Sequence, residues 1–270
     1  MRDKTILIVG GDKRQQELFK ILKEHYKNIF TYGLYEKESL PLKNDIIILP
    51  IPVTNDGIYI NAPLTTRKIS LEEISRYVDS KTKVFGGKMP DKLFFGSDDF
   101  IYDYNNNEAL TIFNAALTAE AAISLAISNS DNSIFKSKCL ITGFGRIGKF
   151  LANYLKALSA EVTVAARKES DLTFIESFSL KPLKYKNLKN NIKKFDYIFN
   201  TVPELIFNPI ILKNCKEKVL IIDLASIPGG VDYDYAEKNS IKVLKARSLP
   251  GKFSSESSAK LIYRTIKPYF

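Results

Sequence analysis

Residues 138–149 read KCLITGFGRIGK. An apolar run at 139–142 leads into Gly143-Phe144-Gly145-Arg146-Ile147-Gly148, and a helical pattern with apolar Phe150, Leu151, Tyr154, Leu155 and Leu158 follows. Strand, glycine turn, helix is the context in which G-x-G-x-x-G signals dinucleotide binding. Gly143 permits the tight turn, Gly145 lets a pyrophosphate approach the backbone, and Gly148 lets helix and strand pack closely. The phosphates then rest on the free N–H groups at the helix N-terminus. The same glycines also occur as a plain turn in an ordinary α/β domain, so the flanking elements carry the inference.

The end of the next strand indicates which dinucleotide is bound. NAD-binding domains place Asp or Glu there, roughly 20 residues after the motif, to hydrogen-bond the ribose 2′-OH. Here the chain reads Val164-Ala165-Ala166-Arg167-Lys168, with two cations and no carboxylate. An arginine fork with a neighbouring lysine matches a dianionic 2′-phosphate. NADP is therefore expected over NAD, the alternative being that Arg167 and Lys168 are surface charges. Arg146 falls near the phosphates or is a solvated turn residue. Loops after later strands belong to the ligand crevice by the switch-point rule. They are Asn200-Thr201-Val202-Pro203, the stretch 223–230 with Ala225 and Ser226, and Leu249-Pro250-Gly251-Lys252. Turn chemistry alone also accounts for their Pro and Gly.

Strands and helices alternate throughout. Strands are expected at 5–9, 29–32, 45–50 and 83–86, then at 138–142, 161–165, within 194–200, at 219–223 and at 241–244. Helices are expected at 14–25 and 71–77, and 54–69 reads as an exposed loop. Residues 108–128 (EALTIFNAALTAEAAISLAIS) form a long helix, apolar nearly all round, on which polar Asn114, Thr118 and Glu120 stand out. The fold class is α/β: two doubly wound parallel-sheet domains joined by that helix, the second a Rossmann domain. The expected division is a flavodoxin-like substrate domain at 1–128, an NADP-binding domain at 129–253, and a C-terminal helix at 254–270 returning toward the first domain.

Composition narrows the function classes. The formal net charge is +10, yet the basic residues are scattered and arginine is scarce. The densest cluster, 181–194 (KPLKYKNLKNNIKK), reads as a solvated connection and helix, so no nucleic-acid partner is expected. No uninterrupted apolar run approaches the ~18 residues of a membrane span, and the N-terminus lacks a secretory apolar stretch. A cytoplasmic chain without a membrane partner is expected, and its 2 cysteines read as reduced structural thiols. The single histidine, His25, removes His-based metal sites, Ser-His-Asp triads and a histidine relay for hydride chemistry. No metal site is expected.

Gly10-Gly11-Asp12-x-Arg14-Gln15, the GFGRIG turn, the AAR strand end, NTVP, DLASIPGGVDYDYAE and LPGK occur in that order along nearly the whole chain. In this set the chain resembles the family of the dipicolinate synthase A subunit. The resemblance implies a cytoplasmic sporulation enzyme that oxidises a dihydrodipicolinate-level intermediate with a nicotinamide cofactor, beside a flavoprotein-like B subunit. The chain departs from the family at Ala121, commonly Gly, at Ile227, commonly Arg, and over 253–258, commonly richer in Pro, Ala and Thr. For such a substrate Arg14 and Lys252 are the candidate carboxylate clamps, Asn114 and Thr118 further substrate contacts, and Glu120 the candidate base. The three helix residues also suit plain helix–helix hydrogen bonding. Two other readings stay open: another two-domain NAD(P)-dependent dehydrogenase, and a non-catalytic nucleotide-binding subunit. Oligomeric state is not readable.

Overall fold

The computed structural model describes residues 2–36, 38, 40–90 and 100–270. The first sheet comprises β1 (Arg2–Val9), β2 (Tyr26–Tyr32), β3 (Ile46–Ile48), β4 (Lys83–Gly86) and β5 (Ile101–Asp103), in the order β2-β1-β3-β4-β5. All pairings are parallel, and the order is that of flavodoxin-like sheets. Alternate residues of β1 feed opposite faces. Ile6 and Ile8 join Leu18 and Leu22 of α1 (Lys13–Lys23), while Leu7 and Val9 join Leu71 and Ile74 of α2 (Leu71–Ser75). With both faces covered, β3 is buried throughout and reads as an unbroken apolar run. Within the segment expected to be an exposed loop at 54–69, Thr54 bridges Ile60, and Ile60 and Ile69 are buried. Their apolar side chains complete the core against Leu7 and Val9.

The second sheet comprises β6 (Lys138–Thr142), β7 (Glu161–Ala166), β8 (Lys181–Lys184), β9 (Tyr197–Asn200), β10 (Leu220–Asp223) and β11 (Lys242–Lys245). Its order, β11-β10-β9-β6-β7-β8, is again all parallel and is that of the Rossmann fold. Strand order reverses between β6 and β9. Helix α4 (Arg146–Ala157) lays Leu151, Ala152 and Leu155 on one face, and α5 (Glu169–Ser177) lays Leu172 and Ile175 there too. Short helices α6 (Leu188–Asn191), α7 (Pro209–Leu212) and α8 (Tyr233–Lys238) bury Leu188, Leu212 and Ala236 on the other. The lysine-rich stretch at 181–194 thus begins as the edge strand β8, and its Leu188 and Ile192 are buried.

Helix α3 (Glu108–Ser128) runs over the stretch expected of it. The compact units, however, are the chain up to Asn114 with Pro250–Phe270, and Ala115–Leu249. The division therefore falls inside α3 and not at 128, because Leu110 packs in the first unit's core whereas Ala119, Ala121, Ala122, Ile123 and Ala126 pack in the second's. α3 is also, among the described residues, the one helix long and apolar enough to cross a membrane. An uninterrupted apolar count misses this because Thr111, Asn114, Thr118 and Glu120 break the run. Leu110, Ala119, Ala121, Ala122, Ile123 and Ala126 lie in the two cores, while Ile112, Phe113 and Ile127 are exposed. After α9 (Leu249–Phe253), helix α10 (Ser255–Ile266) packs Ala259, Ile262 and Ile266 with Leu18 and Leu22 of the first unit.

Both cysteines are free thiols. Burial lifts Cys139 from the ordinary 9.0 to about 11 and Cys215 to about 12. The thiolate is the reactive species, so the folded chain is expected to react with iodoacetamide at pH 8 at least about 10-fold more slowly than the urea-unfolded chain. Equal rates would contradict this packing. The unfolded chain ionises these thiols first, so folding weakens as the pH rises from 9.0 toward about 11.

Candidate dinucleotide site

The glycine turn follows β6 directly. Gly143 has φ +94°, a conformation only glycine adopts readily, and a Cβ there would also meet Thr201 and Val202. Gly145 is the residue before α4; its side is open, with nothing within 4 Å of a Cβ built there, and no side chain caps the helix. A Cβ on Gly148 would lie well under 3.0 Å from Gly143 O. Phe144 is nearly buried, with Lys149 Nζ 5.5 Å from its ring, and Ile147 packs on the core. Arg146 opens α4 in solvent. An uncapped 12-residue helix behind an open glycine has the form of a phosphate cradle. These features fit a nicotinamide dinucleotide.

Arg167 immediately follows β7 and Lys168 is the residue before α5; both are exposed. Arg167 pairs with Glu204 at 3.2 Å. Both partners face solvent, so the pair is worth little, about 0–1 kcal/mol. Sequence reading missed this carboxylate, which stands just after Pro203 in the loop that follows β9. Arg167, Tyr185, Val202 and Glu204 line a cavity of about 320 Å³. The Tyr185 hydroxyl is buried, and desolvation pushes its pKa up to about 12, so it remains protonated at neutral pH.

A second missed feature ties three strand ends together. Thr142, Asn200 and Asp223 are register partners across β6, β9 and β10. Thr142 Oγ1 donates to Asn200 Oδ1 at 2.6 Å, and Asn200 Nδ2 donates to Asp223 Oδ1 at 2.8 Å. Asp223 also accepts from Ala225 N at 3.1 Å, from Gly230 N at 3.1 Å and from the Tyr233 hydroxyl. All three row residues are buried. Thr201 Oγ1 donates to Thr142 O at 2.8 Å, and Val202 N donates to Asn200 Oδ1 at 3.2 Å. The row therefore fixes the loops carrying Thr201, Val202, Pro203, Ala225 and Ser226. Pro203 and Ser226 are exposed and Ala225 is buried. The available signal was a polar residue closing each of three apolar runs, KCLIT, YIFN and VLIID.

In the first unit Asp12 caps α1, accepting from Arg14 N at 3.0 Å, while Gln15 completes a capping box. The Arg14 guanidinium turns back on the same carboxylate, with Nε 2.9 Å from Oδ1 and Nη2 2.9 Å from Oδ2, and Nη2 also donates to Ile51 O at 2.9 Å. The expected clamp is thus buried and held within the protein. Leu249-Pro250-Gly251-Lys252, expected as a loop, begins α9. A Cβ on Gly251 would collide with Asp12, so two motifs far apart in sequence meet here. Lys252 beside it is exposed. Asn114 and Thr118 lie one turn apart on α3, half-buried, and Glu120 is exposed. Among the described residues no group of acidic, Cys or His side chains could hold a metal ion.

Residues 5–95 match the family model of the N-terminal domain of the dipicolinate synthase A subunit, and 117–226 match that of the D-isomer specific 2-hydroxyacid dehydrogenase NAD binding domain. The dipicolinate synthase A subunit of Bacillus subtilis (strain 168) is 30% identical over 275 residues, covering 95% of this chain and 92% of that protein. The chain belongs to the family of the dipicolinate synthase A subunit. Its fold agrees: the crystal structure of the family member from Bacillus halodurans superposes with TM-score 0.84 at 26% identity, over 98% of this chain and 97% of that one. The crystal structure of the Bacillus subtilis member gives 0.81 at 28% identity, over 100% and 96%. A member of this family with an NAD-binding domain of dehydrogenase type is an NAD(P)-dependent oxidoreductase.

Proposed function

We propose that this chain oxidises a dihydrodipicolinate-level ring to dipicolinate using NADP, as a cytoplasmic sporulation enzyme working beside a flavoprotein-like B subunit. The observation that carries the reading is the pairing of the family's N-terminal domain with a nicotinamide-binding domain in one chain. When bound, the nicotinamide accepts a hydride. The chain's own residues do the rest. Gly143, Phe144, Gly145, Arg146, Ile147 and Gly148 hold the pyrophosphate at the start of α4, and Thr201, Val202, Pro203, Ala225 and Ser226 line the approach to the nicotinamide. Arg167 and Lys168 hold the 2′-phosphate. Lys252 serves a substrate carboxylate, Asn114 and Thr118 orient the ring, and Glu120 takes the proton, while Arg14, bound to Asp12 and Ile51 O, holds the turn before α1. Aromatisation drives the loss of that proton, so the site's main task is orientation.

The NAD-binding match favours a second reading, oxidation of a 2-hydroxy acid. Against it, the one histidine stacks on Tyr263 at 5.5 Å, just before β2 begins and so opposite the strand ends where ligands bind. The test is NADPH formation from freshly made dihydrodipicolinate, with and without the B subunit. Turnover is expected with NADP. Turnover with NAD alone would overturn the cofactor assignment, and none with either cofactor would overturn the substrate. For the cofactor, Arg167→Ala is expected to weaken NADP about 10- to 100-fold while changing NAD less than about 2-fold. Equal loss of both by fluorescence titration would remove Arg167 from the 2′-phosphate.

A further inference from the structure

In a doubly wound sheet the two mononucleotide halves lie on either side of the strand-order reversal. Here the glycine turn, β7 and β8 make the adenosine half, which leaves the ends of β9, β10 and β11 to the nicotinamide and the substrate. The loop after β10, 224–230, reads LASIPGG and carries no charge. Asp223 is buried and saturated with hydrogen-bond donors, and Lys245 Nζ lies over the Tyr233 ring, 4.0 Å from its centroid.

Arg247 follows the end of β11 and is half-buried beside that loop. Its Nη2 makes a long hydrogen bond, 3.4 Å to Pro228 O, and the guanidinium also bears on the Tyr233 hydroxyl, whose pKa it lowers against the larger effect of burial. The Tyr233 hydroxyl, Asp223 Oδ2 and Arg247 Nη2 converge on the bare side of Gly229, at 2.9, 3.0 and 3.4 Å from where a Cβ would stand. Next to the guanidinium, Ile227 and Pro228 expose an apolar surface suited to a flat ring. Arg14 and Arg167, by contrast, each face a carboxylate within 3.2 Å, Asp12 and Glu204 respectively. A guanidinium has five donors, and the contacts of Arg247 leave part of the fork to a ligand. A half-buried fork beside apolar surface at a strand end is built to take a planar carboxylate.

We propose that Arg247 binds one carboxylate of the substrate, with the ring resting on Ile227 and Pro228. The inference rests on the dicarboxylate reading above. It accounts for one of the two carboxylates of that substrate. It also makes Arg247, not a residue of the loop itself, the determinant of substrate charge at this strand end.

The test is calorimetric titration of the full chain, saturated with NADP, using pyridine-2,6-dicarboxylate and pyridine-2-carboxylate as probes. Arg247→Ala is expected to weaken the dicarboxylate about 10- to 100-fold and to leave the NADP Kd within about 2-fold. The preference for dicarboxylate over monocarboxylate should shrink by the same factor. Arg247→Lys should recover part of the affinity, keeping the charge but not the fork. An unchanged dicarboxylate Kd in Arg247→Ala would overturn the proposal. So would parallel loss of NADP and dicarboxylate, which would mean that Arg247 only ties down the loop. If the parent chain binds NADP but neither pyridine acid, the dicarboxylate reading itself fails, and this assignment falls with it.

Discussion

Gly148→Ala is expected to abolish measurable dinucleotide binding and to cost about 1–3 kcal/mol of stability. The added methyl would lie well under 3.0 Å from Gly143 O, 3.1 Å from Gly143 C and 3.6 Å from Ile141 Cγ2. The first two are backbone atoms of the turn itself, so no side chain can swing aside. Relief requires α4 to retreat from β6, which opens the packing around Leu151 and Ala152 and moves the helix N-terminus off the phosphate position. Gly145→Ala provides the control. At φ −75° an alanine is unstrained, and nothing lies within 4 Å of its Cβ. Stability should therefore be unchanged while binding falls, because the methyl occupies space that the pyrophosphate needs. Urea unfolding and cofactor titration on both variants separate the two roles. Near-parental affinity in Gly148→Ala would remove the turn from the cofactor site.

The same turn shows why much of the fold could be read from the chain. A parallel sheet covered on both faces demands unbroken apolar strands, so Ile46–Ile48 and 139–142 announce themselves. The strands that escaped were at sheet edges. β5 is only partly buried along its length, and β8 is mostly exposed. One covered face and one wet face leave too little apolar signal in three or four residues. The division inside α3 was hidden for the opposite reason. A helix apolar nearly all round gives no mark where it leaves one core and enters the next.

The candidate dinucleotide turn was legible because a strand-to-helix turn of this form requires glycine at a fixed spacing, as at 143–148. The rest of the candidate site was not legible where it depends on three-dimensional pairing. Nothing local indicates that Arg14 folds back on Asp12, that Glu204 meets Arg167, or that Arg247 stands beside Gly229. Thr142, Asn200 and Asp223 are an intermediate case. Each ends its own strand unremarkably, and only the register of β6, β9 and β10 aligns them in one row.

That row yields the second large effect. Asp223→Asn keeps the shape and removes one acceptor edge, and it is expected to cost about 2–4 kcal/mol. The carboxylate accepts from Asn200 Nδ2 and Ala225 N on one oxygen, and from Gly230 N and the Tyr233 hydroxyl on the other. An amide has a single acceptor oxygen. If its NH₂ faces Asn200, two buried donors oppose it there. If it faces Gly230, the Gly230 N–H loses its acceptor, and only the Tyr233 hydroxyl can rotate to accept instead. Either way a buried donor is left unpaired, and that penalty exceeds the worth of the bond it replaces. Burial and the hydrogen bond to Asp223 both raise the Tyr233 pKa, so the hydroxyl remains a donor at neutral pH in the parent chain. Because the row anchors the loops after β9 and β10, the dinucleotide Kd should rise together with the loss of stability, although Asp223 itself is buried. A variant with parental urea midpoint and parental Kd would show that the loops hold their shape without it. Normal stability with weakened binding would make Asp223 a contact to the cofactor and not a buried anchor.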